Sequence, residues 1–210
     1  MDIKWLGRQS HYRSVYDHMK ELLVQRVNDE IDDTLLLVEH DPVYTVGRAR
    51  NAMSNLLNTN EVPIEQIERG GDVTFHGTGQ LTGYPIVKLP ILDIHAYLRF
   101  LEDFWIDELG RHNIVATRDE RNTGVWVQGK KLVALGVAMR RQVCWHGFAC
   151  NLTTNLNYFR QINPCGMSSD LVTRWEDHAP VPNMEAYALE MSARFEDAWT
   201  DWCNKTTKTE

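Results

Sequence analysis

A single cysteine stands between a proline and a glycine in INPCGM, residues 162–167. Proline fixes φ and lacks an N–H, and glycine adopts angles that other residues avoid. The pair therefore makes a rigid turn rather than a helix or strand interior. Such a turn can hold the Cys165 thiol toward a cleft. A reactive thiol needs a nearby cation or base to favour its thiolate; without one, a lone cysteine is an inert small hydrophobe. In GKKLVALG, Gly129–Gly136, a lysine opens an apolar strand. Lys131 is then either a solvated charge at the strand edge or a partly desolvated amine with a lowered pKa, able to move protons. In RGGDVTFHG, Arg69–Gly77, adjacent glycines before a strand permit a bend and close approach by a ligand. His76 there is either a hydrogen-bonding residue of a sharp hairpin or a working group. If folding unites the three segments, Lys131 and His76 are the groups that could activate Cys165.

The elements that must position these residues can be read from the periodicity. Residues 11–29 place Tyr12, Val15, Tyr16, Met19, Leu22, Leu23, Arg26 and Val27 at helical spacing, which predicts an amphipathic helix. Residues 34–47, TLLLVEHDPVYTVG, read as strand, turn, strand, broken at Asp41-Pro42. Residues 50–68 are polar and irregular. Residues 71–89 read as strands joined by a tight glycine-rich loop. Asp93 caps a second amphipathic helix that runs to about Leu109 and is stopped by Gly110. Residues 124–152 read as a β-hairpin with its turn near Gln128-Gly129-Lys130. Asn183 caps a last helix with Met184, Tyr187, Met191, Phe195, Ala198 and Trp202 along one face. The order helix, strands, helix, strands, helix predicts an α+β fold, a mixed β-sheet with flanking helices. One domain, residues 1–210, is expected from the length.

Bulk properties limit the function classes. A net charge of −7 and the lack of a basic run argue against nucleic acid. The opening MDIKWLGRQS has no apolar signal core, and no apolar run reaches membrane-spanning length, so a cytoplasmic protein off the membrane is expected. Cys144, His146, Cys150 and Cys165 can be drawn as a zinc set. Cys-x-His-x₃-Cys lacks the usual paired-ligand spacing, and no metal is expected.

RGGDVTFHGTGQ, GKKLVALG, WHGFACNL and INPCGM, in this order and at these intervals, together resemble the lipoyl(octanoyl) transferases. The resemblance runs from about the first helix to past residue 170. It implies the α+β catalytic fold of the biotin and lipoate protein ligases. It also implies transfer of an octanoyl group from octanoyl-acyl carrier protein to a lysine of lipoyl domains, those of 2-oxoacid dehydrogenase E2 subunits and of the glycine cleavage H protein, with no cofactor. By position, Cys165 matches the acyl-accepting nucleophile. Lys131 matches the lysine that lowers the cysteine pKa and shuttles protons. Arg69, Gly70, Gly71, Asp72, Val73, Thr74, Phe75 and His76 match a substrate-binding segment. Ala134, Leu135 and Gly136 match a second such stretch, and Gly147, Phe148 and Ala149 a third. One departure is plain: the family usually reads HGPGQ, and Thr78 stands here in place of proline, which predicts a looser loop.

Thioester exchange onto Cys165 needs no ATP, and amide formation in the second step is downhill. Leu135, Val133, Phe75 and Phe148 are candidate walls for the acyl chain, and glycine-rich backbone N–H groups are candidate oxyanion donors. Lys130, Arg140, Arg141, Arg48, Arg50 and Arg160 are candidates for a basic docking rim. Two rivals share part of the pattern. An ATP-dependent lipoate or biotin ligase would not need Cys165, and a non-catalytic binder would need neither Cys165 nor Lys131.

Overall fold

The structure is a computed structural model that describes residues 1–57, 59, 61–163 and 168–208. The chain begins with a short strand, β1 (Asp2–Trp5), followed by α1 (Tyr12–Val27), β2 (Thr34–Val38), β3 (Val43–Val46), β4 (Ile64–Gln66), β5 (Val73–His76) and β6 (Gln80–Lys88). Then come α2 (Ile94–Gly110), β7 (Gly124–Val127), β8 (Lys130–Arg140), β9 (Val143–Asn151) and α3 (Met184–Thr207). The α+β expectation holds. The strand β1 was not expected: it is four residues long, too short to display alternation, and it is fixed by parallel pairing to β2.

The strands form a large sheet in the order β1-β2-β6-β9-β8-β7 and a small one in the order β4-β3-β5. Both are mixed. The strand–turn–strand segments of the sequence prove to be crossings between sheets rather than hairpins. The turn at Pro42 sends the chain from β2 in the large sheet to β3 in the small one, and Gly77–Gly79 returns it from β5 to β6. The two adjacent crossings create a cleft between the sheets.

Each face of the large sheet buries its own helix or helices. Tyr12, Val15, Tyr16, Met19, Leu22 and Leu23 of α1 pack on Leu36, Val38, Ile86 and Trp145. On the other face Trp105 and Leu101 of α2 meet Phe195, Met191 and Trp199 of α3 over Leu35, Val87 and Phe148. The N-terminal helix signals act as read, whereas Gly110, expected to stop the second helix, is its last residue, with Arg111 at the C-cap. The Asp93 carboxylate accepts the His95 and Ala96 N–H groups at 2.9 Å, and the Asn183 side chain accepts the Ala186 N–H at 3.1 Å. A buried Glu108 of α2 accepts two N–H groups of Arg194 at 2.8 and 2.6 Å, fastening α2 to α3. No helix among the described residues is long and apolar enough to cross a membrane.

The hairpins are held by turns of one kind. Gln128 and Gly129 both have positive φ, +50° and +75°, as a two-residue hairpin turn of the twisted kind requires. Arg141 and Gln142, which join β8 to β9, also have positive φ, +46° and +69°, without glycine at either position.

The Thr78 loop is more firmly held than its sequence suggested. Gln80 N–H donates to Gly77 O at 3.1 Å and Gly79 has φ +82°, the signature of a type II turn with Thr78 at its first central position. Gly79 N–H donates to the buried Glu39 carboxylate at 2.7 Å, and its carbonyl accepts from Leu152, Thr153 and Thr154. Proline suits the Thr78 position. We expect Thr78→Pro to stabilise the fold by about 0.4–1 kcal/mol through the unfolded chain. Urea melts of both proteins test this; a lower midpoint for the proline variant would show that Thr78 cannot adopt the proline φ.

Candidate active site

A cavity of about 320 Å³ opens between the two sheets, at the lower end of the range for small-molecule sites, roughly 300–1,000 Å³. Small residues make the space. Ala134 pairs with Ala149 and Gly136 with Gly147 across β8 and β9, and all four line the cavity, where their small size leaves room. Arg69, Gly70, Gly71, Asp72, Val73, Thr74 and His76 line the opposite wall, and Leu135, Phe148, Ile94 and Leu98 add apolar surface. All three expected substrate-binding stretches thus meet at one cavity, with one exception. Phe75 points away from it, stacked on Tyr158 at 4.3 Å between ring centres and buried with Tyr44 and Phe159. Its neighbours on β5, Thr74 and His76, line the cavity from the other side of the strand, while Val73 shares the Phe75 cluster and still reaches the lining. Val133, another candidate wall, belongs to the α2/α3 core.

β7 pairs with β8 only as far as Ala134. Beyond that point Gly70 covers the strand edge, its N–H donating to Val137 O at 2.9 Å. This N–H is therefore spent and drops out of the candidate oxyanion donors.

Lys131 is buried, with 8% of its surface exposed, which removes the solvated-charge alternative. A buried ammonium needs acceptors. Its Nζ donates to Thr123 O at 2.9 Å and to the Asn122 side-chain oxygen, and it sits over the Trp126 ring at 5.2 Å from the centroid. Gly124 makes the room: its φ is +143°, and a Cβ there would lie 2.6 Å from Val133 O and 3.1 Å from Lys131 Cε. The Gly124 N–H in turn donates to the buried Glu102 of α2 at 3.1 Å. Lys131 lines the cavity beside Asn122 and Thr123.

Cys165, in the segment Pro164–Met167, lies outside the described residues. The chain approaches it through an antiparallel bridge between Ile162 and Leu56 and an Asn163 N–H that donates to Asn55 O at 2.8 Å. After it, Val172 forms a parallel bridge with Lys131, and Thr173 N–H donates to Lys131 O at 3.0 Å. Phe159 and Val172, one on each side of that segment, both line the cavity.

The rest of the wall is a buried polar cluster around Arg69. Its guanidinium donates to Thr45 O at 2.8 Å, Thr45 Oγ1 at 3.0 Å and Gly70 O at 3.0 Å. His76 Nδ1 lies 2.8 Å from Gln80 Oε1, and the Gln80 amide donates to Asn151 Oδ1 at 2.9 Å. His40 Nε2 lies 2.8 Å from the Tyr84 hydroxyl. His146, at φ +61°, also lines the cavity, and its Nε2 is buried without a hydrogen-bond partner among the described residues. Burial holds all three imidazoles neutral. It pulls His40 down to about 4, pulls His146 down to about 3 with the Arg69 charge adding to it, and keeps His76 well below its ordinary value. Cys144 and Cys150 face the α2/α3 core, where burial pushes the Cys144 thiol up to about 12 and Cys150 higher still.

A family profile described as lipoyl protein ligase A/B catalytic domain matches residues 12–196. An octanoyltransferase of Rubrobacter xylanophilus is 43% identical over 183 residues, 84% of this chain and 83% of that one. The chain belongs to the octanoyltransferase family. A second octanoyltransferase, from Geotalea uraniireducens, is 47% identical over 69% of this chain and 67% of its own. Solved structures with the same fold include a bipartite lipoate protein ligase studied with its E2 lipoyl domain from Thermoplasma acidophilum. Its TM-score is 0.69 at 13% identity, covering 100% of this chain and 92% of that one. Biotin protein ligase from Aquifex aeolicus in complex with biotin and ATP gives 0.61 at 13% identity, covering 97% and 72%. At that identity these likenesses establish the fold alone, the one the sequence resemblance implied.

Several residues lining the octanoyltransferase cavity were not singled out in the sequence: Tyr12, Gln80, Tyr84, Asn122, Thr123 and Asn151. Tyr12 looks like any apolar-face residue of α1. Gln80 and Asn151 sit inside quoted motifs, four residues after His76 and two after Ala149, where a polar residue in a strand was the available signal. Asn122 and Thr123 belong to an aperiodic stretch that carries none. The six candidate docking residues do not form one rim. Lys130 and Arg140 stand at opposite ends of β8, roughly 33 Å apart at about 3.3 Å per residue.

The neutral histidines set a pH dependence. Unfolding returns each imidazole to its ordinary value of 6.5, so below that pH the unfolded chain binds protons that the folded chain excludes. Stability is therefore fully present above about pH 6.5 and falls as pH drops from there toward 4. Each histidine contributes up to about 1.4 kcal/mol per pH unit. Urea denaturation at about pH 7.5, 6 and 5 should show the fall, and His146→Gln should make it shallower. A stability that stays level over this range would contradict the neutral cluster.

Proposed function

We propose that this octanoyltransferase works by two acyl transfers through Cys165, with Lys131 moving the protons. In the first, the Cys165 thiolate attacks the thioester carbonyl of octanoyl-acyl carrier protein. The new Cys165 thioester forms as the bond to the carrier's thiol breaks, and the proton that Lys131 took from Cys165 goes to that departing thiol. In the second, the amine of a lipoyl-domain lysine attacks the Cys165 thioester. Lys131 takes a proton from the attacking amine, the amide forms, and the Cys165 sulfur leaves and recovers a proton. One thioester replaces another and an amide replaces a thioester, so ATP is not consumed. The acceptors are lipoyl domains of the E2 and H-protein kind, and the setting is the cytoplasm.

The observation that carries this reading is the buried Lys131 on the wall of the cavity where all three glycine-rich stretches converge, its strand bonded to residues 172–173 just beyond Cys165. A lysine at this place, unlike an arginine, can give up and take back a proton. The apolar wall of Leu135, Phe148, Ile94 and Leu98 suits a medium acyl chain, whose methylenes would contribute roughly 5 kcal/mol at about 0.8 each before binding costs.

The direct test is to mix the protein with octanoyl-acyl carrier protein, without ATP, and weigh it. A mass increase of one octanoyl group on Cys165 is expected. No adduct, with modification appearing only when ATP and free octanoate are supplied, would favour the ligase chemistry instead. Cys165→Ser should lower the transfer rate at least about a hundredfold, because serine lacks a nucleophilic anion at neutral pH. Lys131→Arg should fail almost as badly as Lys131→Ala, since arginine keeps the charge but cannot yield a proton. Near-normal turnover in the arginine variant would reduce Lys131 to an electrostatic role.

A further inference from the structure

A second groove, about 340 Å³, lies on the α1 face of the large sheet, between one side of α1 and the end of β8. Its floor is apolar: Leu23 and Trp145 are buried, while Val24 and Met139 are 47% and 38% exposed. Its rim is basic, formed by Lys20, Arg48 and Arg140, all exposed, with Arg141 next in the β8–β9 turn. The bases elsewhere on this acidic chain are mostly tied to carboxylates: Arg8, Arg13, Arg26, Lys88, Arg99, Arg118, Arg121, Arg174 and Arg194 all form ion pairs. Among the described residues, Lys20, Arg48, Arg140 and Arg141 form none, and Lys20 faces the Tyr16 ring instead. Glu68 is the acid in the groove, and its carboxylate accepts the Tyr16 hydroxyl. An exposed apolar strip edged by uncompensated cations is complementary to an amphipathic helix with an acidic face.

The groove is also close to the chemistry. Ala138 in the groove follows Val137, which lines the reaction cavity, and the Arg48 N–H donates to Arg69 O at 3.1 Å. A carrier seated there would be beside the cavity wall into which its acyl chain must pass.

We infer that this groove docks an acidic helix of the acyl carrier protein donor, an assignment that rests on the transferase reading above. The lipoyl-domain acceptor is an alternative occupant that the test separates. Lys130, at the far end of β8, lies outside this surface.

The experiment uses the double variant Lys20→Glu/Arg140→Glu and three measurements. Titration with unacylated acyl carrier protein reads binding without turnover. Steady-state transfer from octanoyl-acyl carrier protein is compared with transfer from octanoyl-CoA, a small donor with no helix to dock. The KM for the lipoyl domain is measured with the small donor. The expected result is about a tenfold loss of carrier affinity and a similar rise in its KM at about 20 mM salt, shrinking at about 500 mM. The octanoyl-CoA rate and the lipoyl-domain KM should be unchanged, and that unchanged rate also reports an intact fold. The single variant Arg48→Glu should give the same pattern, more weakly, if the double variant does not fold. Unchanged carrier binding, an equal loss with both donors, or a rise in the lipoyl-domain KM alone would overturn the assignment. Failure of the parent protein to transfer from either donor would overturn the transferase reading instead, and carrier binding would still decide the groove.

Discussion

Placing the Arg69 guanidinium inside the protein constrains the rest of the site. A buried cation is tolerated only where oxygens are fixed around it, and here Thr45 and the Gly70 carbonyl supply them. That arrangement demands close backbone approach. A Cβ at Gly47 would lie 2.9 Å from Arg69 Nη1 and 2.4 Å from Gly71 O, and one at Gly136 would lie 3.2 Å from Arg69 Cδ. Glycines that look like loop punctuation in the sequence are thus the packing partners of one side chain. The same charge acts on its neighbours. It adds to the burial that keeps His76 and His146 neutral, and it partly offsets the burial that raises the Tyr12 and Tyr84 hydroxyls.

Lys131 is held by a different body of the fold. Its acceptors Asn122 and Thr123 lie at the entrance to β7, and the backbone there is fastened through Gly124 to Glu102 of α2. Glu102 is itself bonded to Arg99 and Arg118. The Arg69 wall belongs to the small sheet side, and the Lys131 wall to the large sheet and α2. The cavity exists because the chain crosses between sheets twice, at Pro42 and at Gly77–Gly79, and because Glu39 and Thr154 clamp the second crossing at Gly79. A substitution at Gly79 would disturb the cleft without touching either wall, since a Cβ there would lie 2.6 Å from Thr153 Oγ1.

Much of this was legible because the signals were local. Asp93 and Asn183 announce their helices through cap oxygens, and Gln128-Gly129 announces its turn. Arg141-Gln142 does not, because the positive φ there is imposed by the β8–β9 ladder rather than offered by the residues. That residues 34–47 and 71–89 each divide between two sheets could not be read, since pairing partners are set by contacts distant in sequence. The motif stretches located the cavity because small residues at alternate strand positions are visible as composition. Phe75 was misassigned within its stretch because motif membership says nothing about which side of the strand a residue faces. Asn122, Thr123 and Tyr12 reach the cavity through tertiary packing alone.

The protonation states around the cavity divide the labour among its residues. His76 and His146 are held neutral, and the phenols of Tyr12 and Tyr84 are held protonated, each first by burial. Near neutral pH these four groups keep one charge state whatever passes through the cavity. They are suited to fixed hydrogen bonding, which costs no reorganisation as charge develops, and poorly suited to exchanging protons, for which a group must titrate near the working pH. The proton exchange proposed above is assigned to Lys131 instead. Among the described residues, the Lys131 amine donates to the oxygens of Asn122 and Thr123 and lies over the Trp126 ring. These contacts fix the place of the Lys131 amine on the cavity wall, which its proposed role requires as much as its burial.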